Sequence, residues 1–70
     1  MINVTVRCTL RDRRKAQGLS IRQLEAISGI TRGNLSQFEN NRKLPAIETA
    51  AKLAVILNCT LDDLFEIKRM

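Results

Sequence analysis

Apolar residues along this chain change their spacing several times, and each change marks an element. Ile2, Val4, Val6 and Cys8 alternate with Asn3, Thr5 and Arg7. Period two with β-branched residues predicts an extended arm or strand over residues 1–8. A first helix is expected from Leu10 to Gln17, capped by Thr9 with Asp12 at the capping-box position and stopped by Gly18. Ile21, Leu24 and Ile27 then fall at i, i+3 and i+6, on one helical face. Ser20 precedes that run with Gln23 three residues on, the pattern of a capping box. Gly29 stops this helix, because glycine takes the left-handed conformation cheaply. Thr31 caps the next, whose buried positions are expected to be Leu35 and Phe38.

Asn40 to Lys43 reads as a polar loop in which Asn41 suits a left-handed residue. Pro45 marks entry to a fourth helix over about 46–57. Ile47, Ala50, Ala51, Leu53, Ala54 and Leu57 give it a broad apolar face. Asn58 is its expected stop. Thr60 caps a short last helix with apolar Leu61, Leu64 and Phe65, and Asp62 and Asp63 suit its positive end. Phe65 to Lys68 alternates again. The two ends either pair as a small antiparallel sheet or pair between the chains of a dimer. The expected fold is a single all-α, five-helix domain over 1–70, with at most that terminal strand pair.

Residues 20–39 form a helix–turn–helix pattern around Gly29. The polar face of its second helix, about 32–39, carries Arg32, Gly33, Asn34, Ser36 and Gln37, with Asn40 following. Such side chains hydrogen-bond base edges, and acid is nearly absent, as an element entering a DNA major groove requires. The charge distribution agrees. The chain carries +5 overall, from 12 basic and 7 acidic residues. Residues 1–43 hold nine basic and three acidic residues (+6), and residues 44–70 hold three and four (−1). The excess therefore lies with the helix–turn–helix, where phosphate neutralisation needs it.

Other chemistry is scarce. Phe38 and Phe65 are the only aromatics, too few for a single-strand stacking platform, which favours duplex. Without histidine, Cys8 and Cys59 cannot build a zinc site. They read as buried free thiols in a reducing cytoplasm. No apolar run approaches membrane-spanning length. No phosphate loop or nucleophile–base pair is present, so neither an enzyme nor a cofactor, metal or small-molecule ligand is expected.

Leu10 to Leu64 resembles the Cro/XRE-type helix–turn–helix family, the lambda-repressor-like DNA-binding domains. The resemblance rests on Gly18-Leu19-Ser20, Leu24, Ser28-Gly29-Ile30, Leu35-Ser36, Phe38-Glu39-Asn40 and Pro45-Ala46-Ile47-Glu48-Thr49. Lys52-Leu53-Ala54, Leu57 and Thr60-Leu61-Asp62-Asp63-Leu64 extend it. The alternating N-terminus looks like that of very small phage and bacterial regulators. The resemblance implies base contacts from Thr31, Arg32, Gly33, Asn34 and Gln37. It implies phosphate contacts from Ser20, Ile21, Arg22, Asn40, Arg42 and Lys43, and an ion pair between Arg14 and Glu39. Glu25 departs from the pattern by standing where a small residue is usual. Arg13 replaces a core leucine, with methylenes long enough to lie on the core. Ala46 replaces a capping serine.

The resulting expectation is a sequence-specific duplex-DNA-binding regulator of the bacterial cytoplasm or nucleoid, acting as a homodimer on half-sites about 34–36 Å apart. Its dimer surface is expected at Leu61 to Ile67 or on the N-terminal strand. The competing reading is an antitoxin or accessory module whose main partner is another protein, anchored by Phe65, Ile67 or Ile2.

Overall fold

The computed structural model of the protein describes residues 2–70; Met1, counted above into the first strand, lies outside them. Strand β1 (Val4–Cys8) leads into α1 (Leu10–Ala16), α2 (Ile21–Ser28), α3 (Arg32–Glu39), α4 (Ile47–Ile56) and the single turn α5 (Leu61–Leu64). Strand β2 (Phe65–Arg69) follows directly. The strands pair antiparallel within the chain, with Val6 opposite Ile67 and Cys8 opposite Phe65. Of the two pairings open from the sequence, the intrachain one is formed. Phe65 is the first residue of β2, not a residue of the last helix.

Each helix sends leucine to one shared core. Leu10, Leu24, Leu35, Leu53, Leu57 and Leu64 are fully buried, joined by Phe38, Ala50 and Cys8. Three expected core positions are not there. Ile27 is 56% exposed, because the buried line of α2 runs through half-buried Ile21 to Leu24 and Ser28. Ile27 flanks that line on the solvent side. In α4 the buried stripe is the narrower Ala50–Leu53–Ala54–Leu57, the i, i+3, i+4, i+7 set. Ile47, a turn ahead of it, and Ala51, off its axis, are exposed.

Local chemistry sets the boundaries. Ser20 and Gln23 form the complete capping box of α2, and Gly29 at φ 73° ends it. Asn41 and Asn58 hold positive φ after α3 and α4, a conformation asparagine tolerates better than most residues. Thr60 and Asp63 cap α5 reciprocally. The Thr60 backbone N–H and hydroxyl hold the Asp63 carboxyl below its usual range, with Arg13 assisting. Thr9 does not cap α1. Its hydroxyl donates to the Asp63 carbonyl at 2.7 Å and its N–H to the Leu64 carbonyl at 2.8 Å. Proximity to α5 gives Thr9 better partners than the first turn of α1. Ala46 precedes α4 without a side-chain cap.

Only Cys8 of β1 is buried, so the sheet projects from the helical body, in a molecule of 42 × 22 × 20 Å. Both cysteines are free, Cys8 buried and Cys59 half-buried. Burial pushes both thiols above their ordinary range, which leaves them weak nucleophiles. No described helix is long and apolar enough to cross a membrane.

Candidate nucleic-acid interface

The candidate interface is built on α3, which is held at both ends while one face stays in solvent. Leu35 and Phe38 anchor its inner side. Thr31, Arg32, Gly33 and Gln37 are exposed and Asn34 is half-buried, so the five residues expected to face bases lie together. A Cβ placed on Gly33 would meet nothing within 4 Å. Gly33 is therefore not reserving space for packing; it leaves a gap in the row of side chains where backbone is accessible.

The C-terminal end of α3 is fixed by Glu39. Its carboxylate is 3% exposed and accepts from Arg14 at 2.7 and 3.1 Å and from Arg11 at 3.2 Å. Arg14 also donates to the Leu19 carbonyl at 2.9 Å, which ties α1, the start of α2 and the end of α3 into one cluster. Arg11, in the basic run of α1, is the third member, unforeseen from the sequence. Burial by itself pushes the Glu39 carboxyl up, but the hydrogen bonds and charges of Arg14 and Arg11 more than reverse this. It stays ionised below the usual range. The Arg14 guanidinium is raised in turn by its bond to Glu39.

The N-terminal end is fixed differently. Thr31 accepts from the Asn34 N–H at a long 3.4 Å, while Glu25 of α2 accepts from the Arg32 N–H at 2.6 Å. The unusual glutamate beside the turn thus has a partner: a backbone donor of α3.

The expected phosphate-contacting residues divide into three groups. Arg22, Arg42 and Lys43 are exposed, and among the described residues no carboxylate lies within 4 Å of their charged groups or of that of Arg32. Lys43 lies 6.0 Å over the Phe38 ring. At the start of α2 the capping box uses the Ser20 and Gln23 N–H groups. The N–H groups of Ile21 and Arg22 are then the remaining unpaired donors of that first turn. Ile21 has only its backbone to offer there, since its side chain packs against the core. Asn40 is spoken for inside the protein. Its amide donates to Ser36 at 3.0 Å and its Oδ1 accepts from Arg11 at 2.8 Å. Arg13, replacing the usual core leucine, is half-buried and reaches Asp63 at 3.7 Å.

Asn41 holds the loop after α3 in place. Its left-handed backbone turns the chain, and its Oδ1 accepts from the Cys8 N–H at 2.7 Å. Arg42 and Lys43 follow at once. The positive φ was foreseeable from residue type; a bond across 33 residues has no local signature.

Comparison with known proteins places this geometry. A helix-turn-helix family model matches residues 10–64. The chain is 31% identical over 70 residues to the "SPbeta prophage-derived uncharacterized HTH-type transcriptional regulator YopS" of Bacillus subtilis, covering 97% of this chain and 95% of that protein. It is 33% identical over 53 residues to the "ImmF control region 10 kDa protein" of Bacillus phage phi105, covering 76% of this chain and 59% of that protein. The structure superposes on that of SinR, a master regulator for biofilm formation solved in complex with DNA, with a TM-score of 0.70. That match has 26% identity over 76% of this chain and 86% of SinR. With its capped helix pair, its leucine core and a family match spanning most of its length, the chain belongs to the helix-turn-helix family of Cro/XRE type.

Proposed function

We propose that this protein is a transcriptional regulator that binds duplex DNA sequence-specifically, with α3 lying in the major groove. One observation carries the reading: α3 is pinned at both ends, yet exposes Arg32 and Gln37 beside Asn34, and among the described residues no carboxylate pairs with the Arg32 guanidinium. Arg32 matches the two acceptors of guanine, and Gln37 or Asn34 the donor–acceptor pair of adenine. Arg22, Arg42 and Lys43, with the N–H groups at the start of α2, flank the groove-facing helix and suit phosphates, which position the protein without reading sequence. The relationship to SinR, solved on DNA, and to YopS, named as a regulator, supports the same reading.

The test is selection from a randomised duplex library with sequencing of the bound fraction. An enriched motif is expected, and Arg32→Ala or Gln37→Ala should relax it at single positions, each losing roughly 1–3 kcal/mol of discrimination. Arg42→Ala should instead weaken all duplexes alike and lower the slope of log affinity against log salt by about one. Binding without any enriched motif would reduce the protein to a non-specific DNA binder.

The working unit is a homodimer. Val6 and Ile67 of the sheet, Phe65, Leu44, Ile47 and Leu61 line an apolar groove of about 490 Å³ beside the phosphate-facing loop. Residues opposite one another in an antiparallel pair share a face. Val4 and Arg69 therefore share a face with Val6 and Ile67 and carry that wall of the groove outward. The groove holds acidic Asp62 and its wall ends in basic Arg69. A two-fold partner presents the same pair reversed, Arg69 to Asp62 and Asp62 to Arg69, as a self-complementary contact requires. A different protein partner on this face is the competing occupant.

A further inference from the structure

Among the described residues, Glu25 is the one acidic side chain that reaches the start of the DNA-facing helix. The first N–H groups of any helix lack a helical acceptor, and α3 has few local means of satisfying them. Thr31 reaches only the Asn34 N–H, at 3.4 Å, and the Arg32 N–H is taken by Glu25 Oε2 at 2.6 Å. The acceptor lies seven residues back, on α2, across the turn at Gly29.

This placement has a geometric and an electrostatic consequence. The bond fixes the start of α3 against α2, as Glu39 fixes its end against α1. The positive end of a helix is also a ready anion site. On a surface that meets DNA, a phosphate would compete for it, and Glu25 fills it from within the chain. We infer that Glu25 is a specificity-determining positioning residue: its carboxylate holds the N-terminus of α3 on α2 and denies that N-terminus to DNA phosphate. The helix is then seated by base edges rather than by the nearest backbone. The inference rests on the DNA-binding reading for its functional half and on protein geometry alone for the other half.

Simple charge counting predicts that removing an acid from a DNA-facing surface strengthens binding and leaves selectivity untouched. The inference predicts otherwise. In Glu25→Ala, affinity for random duplex should rise while the ratio of motif to random binding falls, roughly five- to tenfold, the equivalent of one lost helix cap. Glu25→Gln retains an amide oxygen of the same reach and should hold the ratio within about twofold of wild type, since a neutral hydrogen bond still occupies the site. A ratio unchanged in Glu25→Ala, or lost as fully in Glu25→Gln, overturns the inference. Amide hydrogen exchange on the protein without DNA gives the second readout. The Arg32 N–H should exchange at least about tenfold faster in Glu25→Ala than in the other two proteins, with Leu35 still protected. Equal Arg32 rates in all three would show that Glu25 does not hold the helix end. A wild type that enriches no motif removes the DNA reading and the selectivity role together, while the Arg32 amide still decides the positioning role.

Discussion

Among single residues, Glu39 has the largest structural consequence. Its carboxylate is buried between Arg14, itself 14% exposed, and Arg11, 47% exposed. Removing it leaves Arg14 with the Leu19 carbonyl as its remaining partner. Glu39→Ala should therefore destabilise the fold by about 3 kcal/mol, the low end for breaking a buried pair; an unchanged melting temperature would make the cluster a surface feature. The same geometry sets an acid dependence. Because the folded carboxyl ionises below its unfolded value, its contribution is complete above that unfolded value. It is lost as pH falls through the lower folded one. The melting temperature should hold steady from neutrality to about pH 5 and fall below about pH 4. Part of that fall should vanish in Glu39→Ala, and part should remain with Asp63, which is lowered too. The family resemblance made Arg14 and Glu39 visible in the sequence. Arg11 was hidden in a run of basic residues, and Glu25 looked like an anomaly, because pairing between elements has no spacing rule.

Within elements, what the sequence revealed were the features made by near neighbours. The Ser20–Gln23 box, the left-handed Gly29, the Thr31 cap and the Thr60 cap all join residues within four positions; the return bond that makes Thr60 and Asp63 a box is visible only in the structure. Thr9 has the right residue type for a cap, but α5 claims its hydroxyl. The buried face of α4 is narrower than its apolar spacing suggests, since periodicity marks which residues could be buried and not how far the core extends. Ile47 and Ala51 lie beyond it. The missing cap of α4 offers a direct test. Ala46 has extended backbone angles, φ −62° and ψ 159°, and no side-chain acceptor. Ala46→Ser should add about 1 kcal/mol, raising the melting temperature by roughly 4–8 °C in a domain of this size. No rise would mean that solvent already satisfies that first turn.

At the scale of the whole molecule, alternation in both terminal segments disclosed the strands but not what their apolar face would meet. Half-buried alternation normally implies a core beneath. Here Val4, Val6 and Ile67 are 53%, 39% and 68% exposed, because only the inner end of the sheet, at Cys8 and Phe65, packs against the helical core. A dimer built on this face should sediment as two chains without DNA, and Ile67→Glu should give a folded monomer. Asp62→Arg and Arg69→Asp should each weaken association, and together restore it. A wild-type monomer at concentrations well above those used for DNA binding would exclude that interface. The sheet also bears on the order in which the chain folds. Asn3 accepts from the Met70 N–H at 2.8 Å, and Val4 lies opposite Arg69. These pairings close a loop of nearly the full chain length, so their entropy is the hardest to recover and their formation should come last. A short linker joining the two ends, with new termini cut in a surface loop, would turn the slowest contact into a local hairpin while keeping the native layout.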